Sequence, residues 1–180
     1  TNTKLLCCQS NRGAGFSDVV PAGSGVNSSG TEWSDESSLS ITTAGTTESG
    51  SLAAVFNGTT NANAANAFGY LNGAFDFTWT PDTPISYTNK VEVWTGYGGG
   101  TVSLNGGSNV SSVSNNWTEL VNGSSGTITS IRFAVGSGGG WWSALRVDDV
   151  MVVDSIVKYG DVSPTNFNPF NTDINTVRGQ

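Results

Sequence analysis

The sequence predicts an all-β fold: a single antiparallel β-sandwich, jelly-roll-like, with extended N- and C-terminal arms. Three observations lead there. Apolar residues recur with period two, and the i, i+3, i+4, i+7 spacing of an amphipathic helix is sustained nowhere. Gly, Asn and Ser punctuate these runs about every 8–12 residues, the rhythm of a sandwich or jelly roll. Thr and Val, which suit a pleated, half-buried surface, are abundant. A length of 180 residues fits one domain with arms and is enough to bury a core without staples.

The expected strands follow in order. Leu39 and Ile41 alternate with Ser40 and Thr42, and Phe75, Phe77 and Trp79 alternate with Asp76 and Thr78. Val91, Val93 and Thr95 share one face, with Glu92 and Trp94 on the other. Val102 and Leu104 flank Ser103, Ile128 sits between two Thr, and Ile131, Phe133 and Val135 enclose Arg132 and Ala134. Leu145 and Val147 flank Arg146, and Val150 to Val153 is a continuous apolar run that fits a strand covered on both faces. Eight to ten short strands are expected in all. Asn57-Gly58, Asn72-Gly73, Asn105-Gly106 and Asn122-Gly123 supply the positive φ of hairpin turns. The segments 96–100 and 136–140 are Gly-rich, but no Lys-Ser/Thr pair or helix follows them, so they read as hairpin connections and not phosphate loops. Asn61 to Asn66 reads as a loop over the sandwich edge.

The domain boundaries fall at an N-terminal arm over 1–26, a sandwich over 27–157 and an extended C-terminal arm over 158–180. The last arm has two Pro and no period, and cannot build a core of its own. Phe167, Phe170, Ile174 and Val177 are its expected docking anchors and assembly contacts. Extended, an arm of about 20 residues reaches roughly 65 Å. The opening at Thr1 reads as a processed or excised part of a longer polypeptide.

Composition narrows the chemistry. The net charge is −7 and His is absent, which excludes a Ser-His-Asp triad, a Cys-His pair and His-ligated metal. The seven basic residues are scattered, so no nucleic-acid partner is expected. No apolar run approaches the ~18 residues of a membrane span. Cys7 and Cys8 are adjacent and read as small buried hydrophobes, with pairing to another chain as the alternative. Asp148, Asp149 and Asp154 form the densest acidic group. They read as solvated strand ends, with calcium or a glycosidase-like carboxylate pair as sharper alternatives. On a strand, Asp148 and Asp154 would share a face and Asp149 would oppose them. Asp35-Glu36 is an equal candidate for calcium. The sequence leads us to expect no metal, no cofactor and no catalytic residue. Aromatic side chains stack on sugars, and Trp33, Tyr97, Trp141 and Trp142 are the candidate glycan contacts, weighed against core and edge packing. Of the adjacent Trp141 and Trp142, one is expected to face outward.

Two stretches, LLCCQSN (Leu5 to Asn11) and TNFNPFNTDINTVRGQ (Thr165 to Gln180), resemble a recurring segment of long, repetitive virion proteins of marine tailed phages. AVFNGTT (54–60), FTWTPDTPIS (77–86), KVEVW (90–94), TVSLNGG (101–107) and RVDDVMVVDS (146–155) are similar to modules of the same proteins, so the resemblance covers most of the chain. The stretch Asn11 to Phe16 departs from the pattern, which there is richer in Ser, Thr and Ala.

The resemblance implies a β-sandwich module between two halves of a repeat segment, in a non-enzymatic structural protein of the virion surface: fibre, tail appendage or capsid decoration. Its expected partners are copies of itself, as a homo-oligomer such as a trimer, other virion proteins and a host-surface glycan. The alternative is a lectin-like carbohydrate-binding module. A polysaccharide depolymerase built on Asp148, Asp149 and Asp154 is the third reading.

Overall fold

The computed structural model describes residues 32–96 and 99–154. Thirteen strands are found among them. They are β1 (Leu39–Thr43), β2 (Glu48–Gly50), β3 (Phe68–Tyr70), β4 (Phe75–Trp79), β5 (Ile85–Tyr87), β6 (Lys90–Gly96) and β7 (Gly100–Leu104). After them come β8 (Val110–Ser111), β9 (Asn116–Asn122), β10 (Gly126–Ile128), β11 (Ile131–Val135), β12 (Gly140–Val147) and β13 (Val150–Met151). One short helix, α1 (Leu52–Val55), and 3-10 turns at Glu36–Ser38 and Ala64–Asn66 complete the described chain.

All pairings are antiparallel. One sheet runs β1-β4-β11-β7-β8 and the other β2-β3-β12-β6-β9, with β13 also on β12. Without β1, β2 and β13, the inner runs are β4-β11-β7-β8 and β3-β12-β6-β9. Counted along these eight strands, the orders are 2-7-4-5 and 1-8-3-6, the winding of a jelly roll. The remaining pair, β5 with β10, forms a small sheet where the chain crosses between the layers. There β4 leads through β5 to β6, and β9 leads through β10 to β11.

Period two decides what lies between the sheets. Phe133 pairs with Phe77 and Val102, and Ile131 pairs with Trp79 and Leu104. Across the core, Val93 pairs with Leu145 and Val91 with Val147. Rings then link the layers. Phe75, Phe77 and Phe133 stack in series, Phe133 stacks on Trp142 at 4.9 Å, and Trp142 meets Trp79 at 5.4 Å. Trp33 and Phe56 close the row, 5.0 Å apart. The Trp142 ring nitrogen donates to the Ala144 carbonyl at 2.8 Å. Those of Trp33 and Trp79 are buried with no hydrogen-bond partner among the described residues, a cost that ring packing outweighs.

One of the expected Asn-Gly hairpin turns is present, and other expectations are corrected. Asn105-Gly106 is a tight turn with both residues at positive φ, 51° and 68°, closed by Gly107 N–H donating to Leu104 O at 2.8 Å. The other three Asn-Gly pairs have positive φ only at Gly and turn corners: after α1, between β3 and β4, and between β9 and β10. The Gly-rich connections β6–β7 and β11–β12 join strands of opposite sheets and so are not hairpins. The run Val150 to Val153 is a strand only at Val150–Met151, because the Asp154 N–H leaves the sheet to donate to Phe56 O at 3.1 Å. The stretch Asn61 to Asn66 contains the 3-10 turn, whose start is capped by the Asn63 side chain accepting from Ala65 N–H at 3.0 Å. Helix α1, unforeseen because four residues show no period, buries Leu52 and Val55. Cys7, Cys8 and the arms over 1–26 and 158–180 lie outside the described residues.

Asn105 also ties two corners together. Its Oδ1 accepts from Thr129 N–H at 2.7 Å, Thr129 Oγ1 at 2.9 Å and Ser130 N–H at 3.0 Å, and its Nδ2 donates to Thr127 O at 2.6 Å. Asn105→Ala is expected to lower stability by about 1–2 kcal/mol in urea unfolding, through lost bonds and a side chain ill suited to φ 51°.

Candidate functional site

The two outward sheet faces differ in chemistry. On the five-stranded sheet, Asp76, Thr78, Thr101, Ser103, Arg132 and Ala134 alternate with the core residues. Arg132 grips Asp76 with two bonds, Nε to Oδ1 at 2.8 Å and Nη2 to Oδ2 at 2.6 Å. The hydrogen bond to Asp76 raises the Arg132 pKa. An open cleft of about 340 Å³ lies beside the pair, with Thr43, Asp76 and Thr101 as its polar groups. Its carboxylate is already committed to Arg132.

The six-stranded sheet carries indoles. Val91, Val93, Leu145 and Val147 belong to the core, so Glu92, Trp94 and Arg146 point outward. Trp117 on β9 pairs with Trp94 on β6, and the rings meet edge to face with centroids 5.6 Å apart. The Arg146 guanidinium lies 4.3 Å from the Trp117 ring centroid, a cation–π distance. Its Nε donates to Glu92 Oε2 at 2.6 Å, and Lys90 Nζ lies 3.0 Å from Glu92 Oε1. Glu92 is 5% exposed, and these cations make its burial tolerable. Lys90 also reaches Asp149 at 3.7 Å. Trp141 on β12 pairs with Gly96 on β6, and a Cβ at position 96 would collide with its ring nitrogen. Glycine there lets the indole lie down on the sheet. Trp94, Trp117 and Trp141 are all partly exposed, and none belongs to the core cluster.

Two other sequence-predicted aromatics, Trp33 and Trp142, are not on this face. Trp33 and Trp142 are fully buried, so neither offers a ring to a sugar. Trp142 is the inward member of an alternating pair, and Trp33 fills the end of the core against Phe56 and Trp79. Tyr97 and the anchors Phe167, Phe170, Ile174 and Val177 lie outside the described residues. Trp94 and Trp117 are not among the glycan-contact candidates that the sequence offers. Trp94 had a signal, since it shares parity with Glu92 on a strand whose other face is Val, but Trp117 had none.

The acidic group is built into the architecture. Asp148 and Asp149 are not on a strand and so lack the alternating parity expected of them. Both have positive φ, 48° and 66°, and form the two-residue turn between β12 and β13. The Asp148 carboxylate accepts from Thr88 N–H at 2.7 Å, Thr88 Oγ1 at 2.8 Å, and Asn89 and Lys90 N–H at 2.8 Å each. Burial pushes its pKa up, but the bonds from Thr88, Lys90 and Asn89 prevail and hold it at about 2. Asp154 Oδ2 accepts from Trp33 N–H at 2.9 Å. The Asp35 carboxylate caps Ser37 N–H at 2.9 Å, and burial, with Glu48 and Asp35 nearby, raises the Glu36 pKa. Among the described residues no group of three or more Cys, Asp or Glu is placed to hold a metal ion. No described helix is long and apolar enough to cross a membrane.

Comparison of the chain with protein-family models, with curated proteins and with solved structures finds no match.

Proposed function

We propose that this chain is a non-enzymatic structural module of a phage virion, in a fibre, tail appendage or capsid decoration, which assembles through its arms and presents its sandwich at the particle surface. The resemblance of its sequence segments supplies the virion context. The observation that carries the reading is that Trp33 and Asp154 lie together at one corner. Trp33 N–H bonds Asp154 at 2.9 Å, and the Trp33 ring packs on Phe56, whose carbonyl accepts from Asp154 N–H. Both flanking segments therefore start from one corner of the jelly roll. A rigid spacer would need its ends at opposite poles, so a pendant suits this geometry better. Arms that start together have a high effective concentration for any site that takes both. Self-association of the arms, as a trimer or larger homo-oligomer, is tested by light scattering. The full chain is expected to form discrete assemblies and a chain lacking 160–180 to stay monomeric. A truncated chain that assembles like the full one overturns the reading.

A carbohydrate-binding module is the second reading, favoured by the indoles of Trp94, Trp117 and Trp141 on one outward face. It is compatible with the first, since a displayed module can carry a host-surface glycan site.

A further inference from the structure

We propose that the outer face of β9, β6 and β12 binds a neutral glycan strand, with Trp94, Trp117 and Trp141 as its stacking platform. The inference deepens the carbohydrate-binding reading and rests on it. It begins with placement. Trp117 and Trp94 are cross-strand partners on β9 and β6, and Trp141 faces Gly96 from β12, two residues along β6 from Trp94. With strands about 4.8 Å apart and about 6.8 Å of rise per two residues, the stripe from Trp117 to Trp141 is on the order of 12 Å long. That is room for more than one hexopyranose ring.

The rings are held for stacking. Trp141 lies across Gly96, and Trp117 is held by an edge-to-face contact with Trp94 and by the Arg146 guanidinium over its ring. The Trp94 ring nitrogen is buried, with no hydrogen-bond partner among the described residues, so that edge faces the protein. A pyranose has an apolar C–H face and a rim of hydroxyls. Laying the C–H face on an indole removes apolar surface from water and leaves the hydroxyls free to bond. Polar groups border the stripe: Glu119, which accepts from Asn122 Nδ2 at 3.0 Å, and Lys90.

Charge selects the neutral class. Lys90 and Arg146 are matched by Glu92 and Asp149 within the face. Among the described residues of this face no cation is left over to draw a uronate or sulfate, and the chain as a whole carries −7, which repels polyanions. A broad apolar protein-docking patch would continue the indoles into large exposed aliphatic residues. Among the described residues those are Ile41 on β1 and Leu71 and Val113 in loops, none on these three strands.

The test uses the full chain with cellohexaose, laminarihexaose and mannohexaose as neutral probes and an alginate hexamer as the anionic comparator. Binding is read by calorimetry, and contact by hydroxyl-radical footprinting with peptide mapping. At least one neutral probe is expected to bind and to protect Trp94, Trp117 and Trp141 from oxidation. Trp117→Ala is expected to weaken binding about tenfold, and Trp94→Phe to keep most of it. Footprinting of the unaltered chain decides the matter even if a variant fails to fold. Binding without protection of these indoles overturns the site and leaves the carbohydrate reading standing. Binding of alginate alone overturns the neutral class. Silence with every probe overturns both site and reading.

Discussion

Asp148→Ala is expected to lower the unfolding free energy by about 3 kcal/mol, far more than a turn residue at a sheet rim normally costs. The four bonds that its carboxylate accepts hold the β5–β6 corner at Thr88, Asn89 and Lys90 against the β12–β13 turn. Hydrogen bonds to a charged group are the stronger kind. Alanine also fits a φ of 48° poorly, which adds about 1 kcal/mol. Asp148→Asn tolerates that φ and keeps one acceptor oxygen, so it should lose about half as much. Acid gives an independent check. Because the folded pKa is about 2 against an ordinary 3.8, the stabilisation is fully present above the ordinary value and is lost as pH falls through 3.8 toward 2. Solvent screening at this partly exposed site reduces that contribution to about 1–2 kcal/mol. Urea unfolding of the unaltered chain and of Asp148→Asn should thus differ by a constant amount above about pH 5 and converge toward pH 2. Equal pH dependence in the two would show that Asp148 does not tie the corner.

Trp142→Ala is expected to cost about 4 kcal/mol and to lower the melting temperature by roughly 10–20 °C. Its ring is fully buried, stacked on Phe133 and packed against Trp79 and Phe56, and its N–H is bonded within the core. Truncation leaves a cavity at the junction of the two sheets. Trp94→Phe, on the outer face, should stay within a few degrees of the unaltered chain. The contrast separates two kinds of tryptophan and guards the binding experiment. A loss of glycan binding in Trp142→Ala reports unfolding, and a loss in Trp117→Ala at unchanged melting temperature reports the site. A melting temperature equal to that of the unaltered chain in Trp142→Ala would contradict the packing.

The sandwich was legible where burial imposes period two over five or more residues. Phe75, Phe77 and Trp79 announce β4, and Ile131, Phe133 and Val135 announce β11. The strands β2, β3, β5 and β8 have two or three residues and carry no period to read. β9 hides behind a register shift between Val91 and Glu92, beyond which Trp117 and Glu119 face out while Thr118 is buried. The turn chemistry misled because Asn-Gly fixes a local positive φ and not the identity of the strands it joins. Only Asn105-Gly106 forms the fully left-handed pair, and even there the side chain serves a distant corner. For the site, adjacency of Trp141 and Trp142 correctly implied that the two rings part ways. It could not say that Trp94 and Trp117 stand on the same face as Trp141, because that depends on the pairing of β9, β6 and β12. The carboxylates of Asp148 and Asp154 looked free in the sequence because their donors are about 60 and 121 positions away.

The meeting of Trp33 and Asp154 at one corner has a mechanical side. Tension along a longer polypeptide would enter and leave this jelly roll at nearly the same point. It would load the Trp33–Asp154 contact and peel from there, and would not shear the hydrogen-bonded strands against each other. Peeling loads contacts one after another, so the jelly roll would open from this corner at lower force than strands pulled in shear, and would lengthen the chain as it yields.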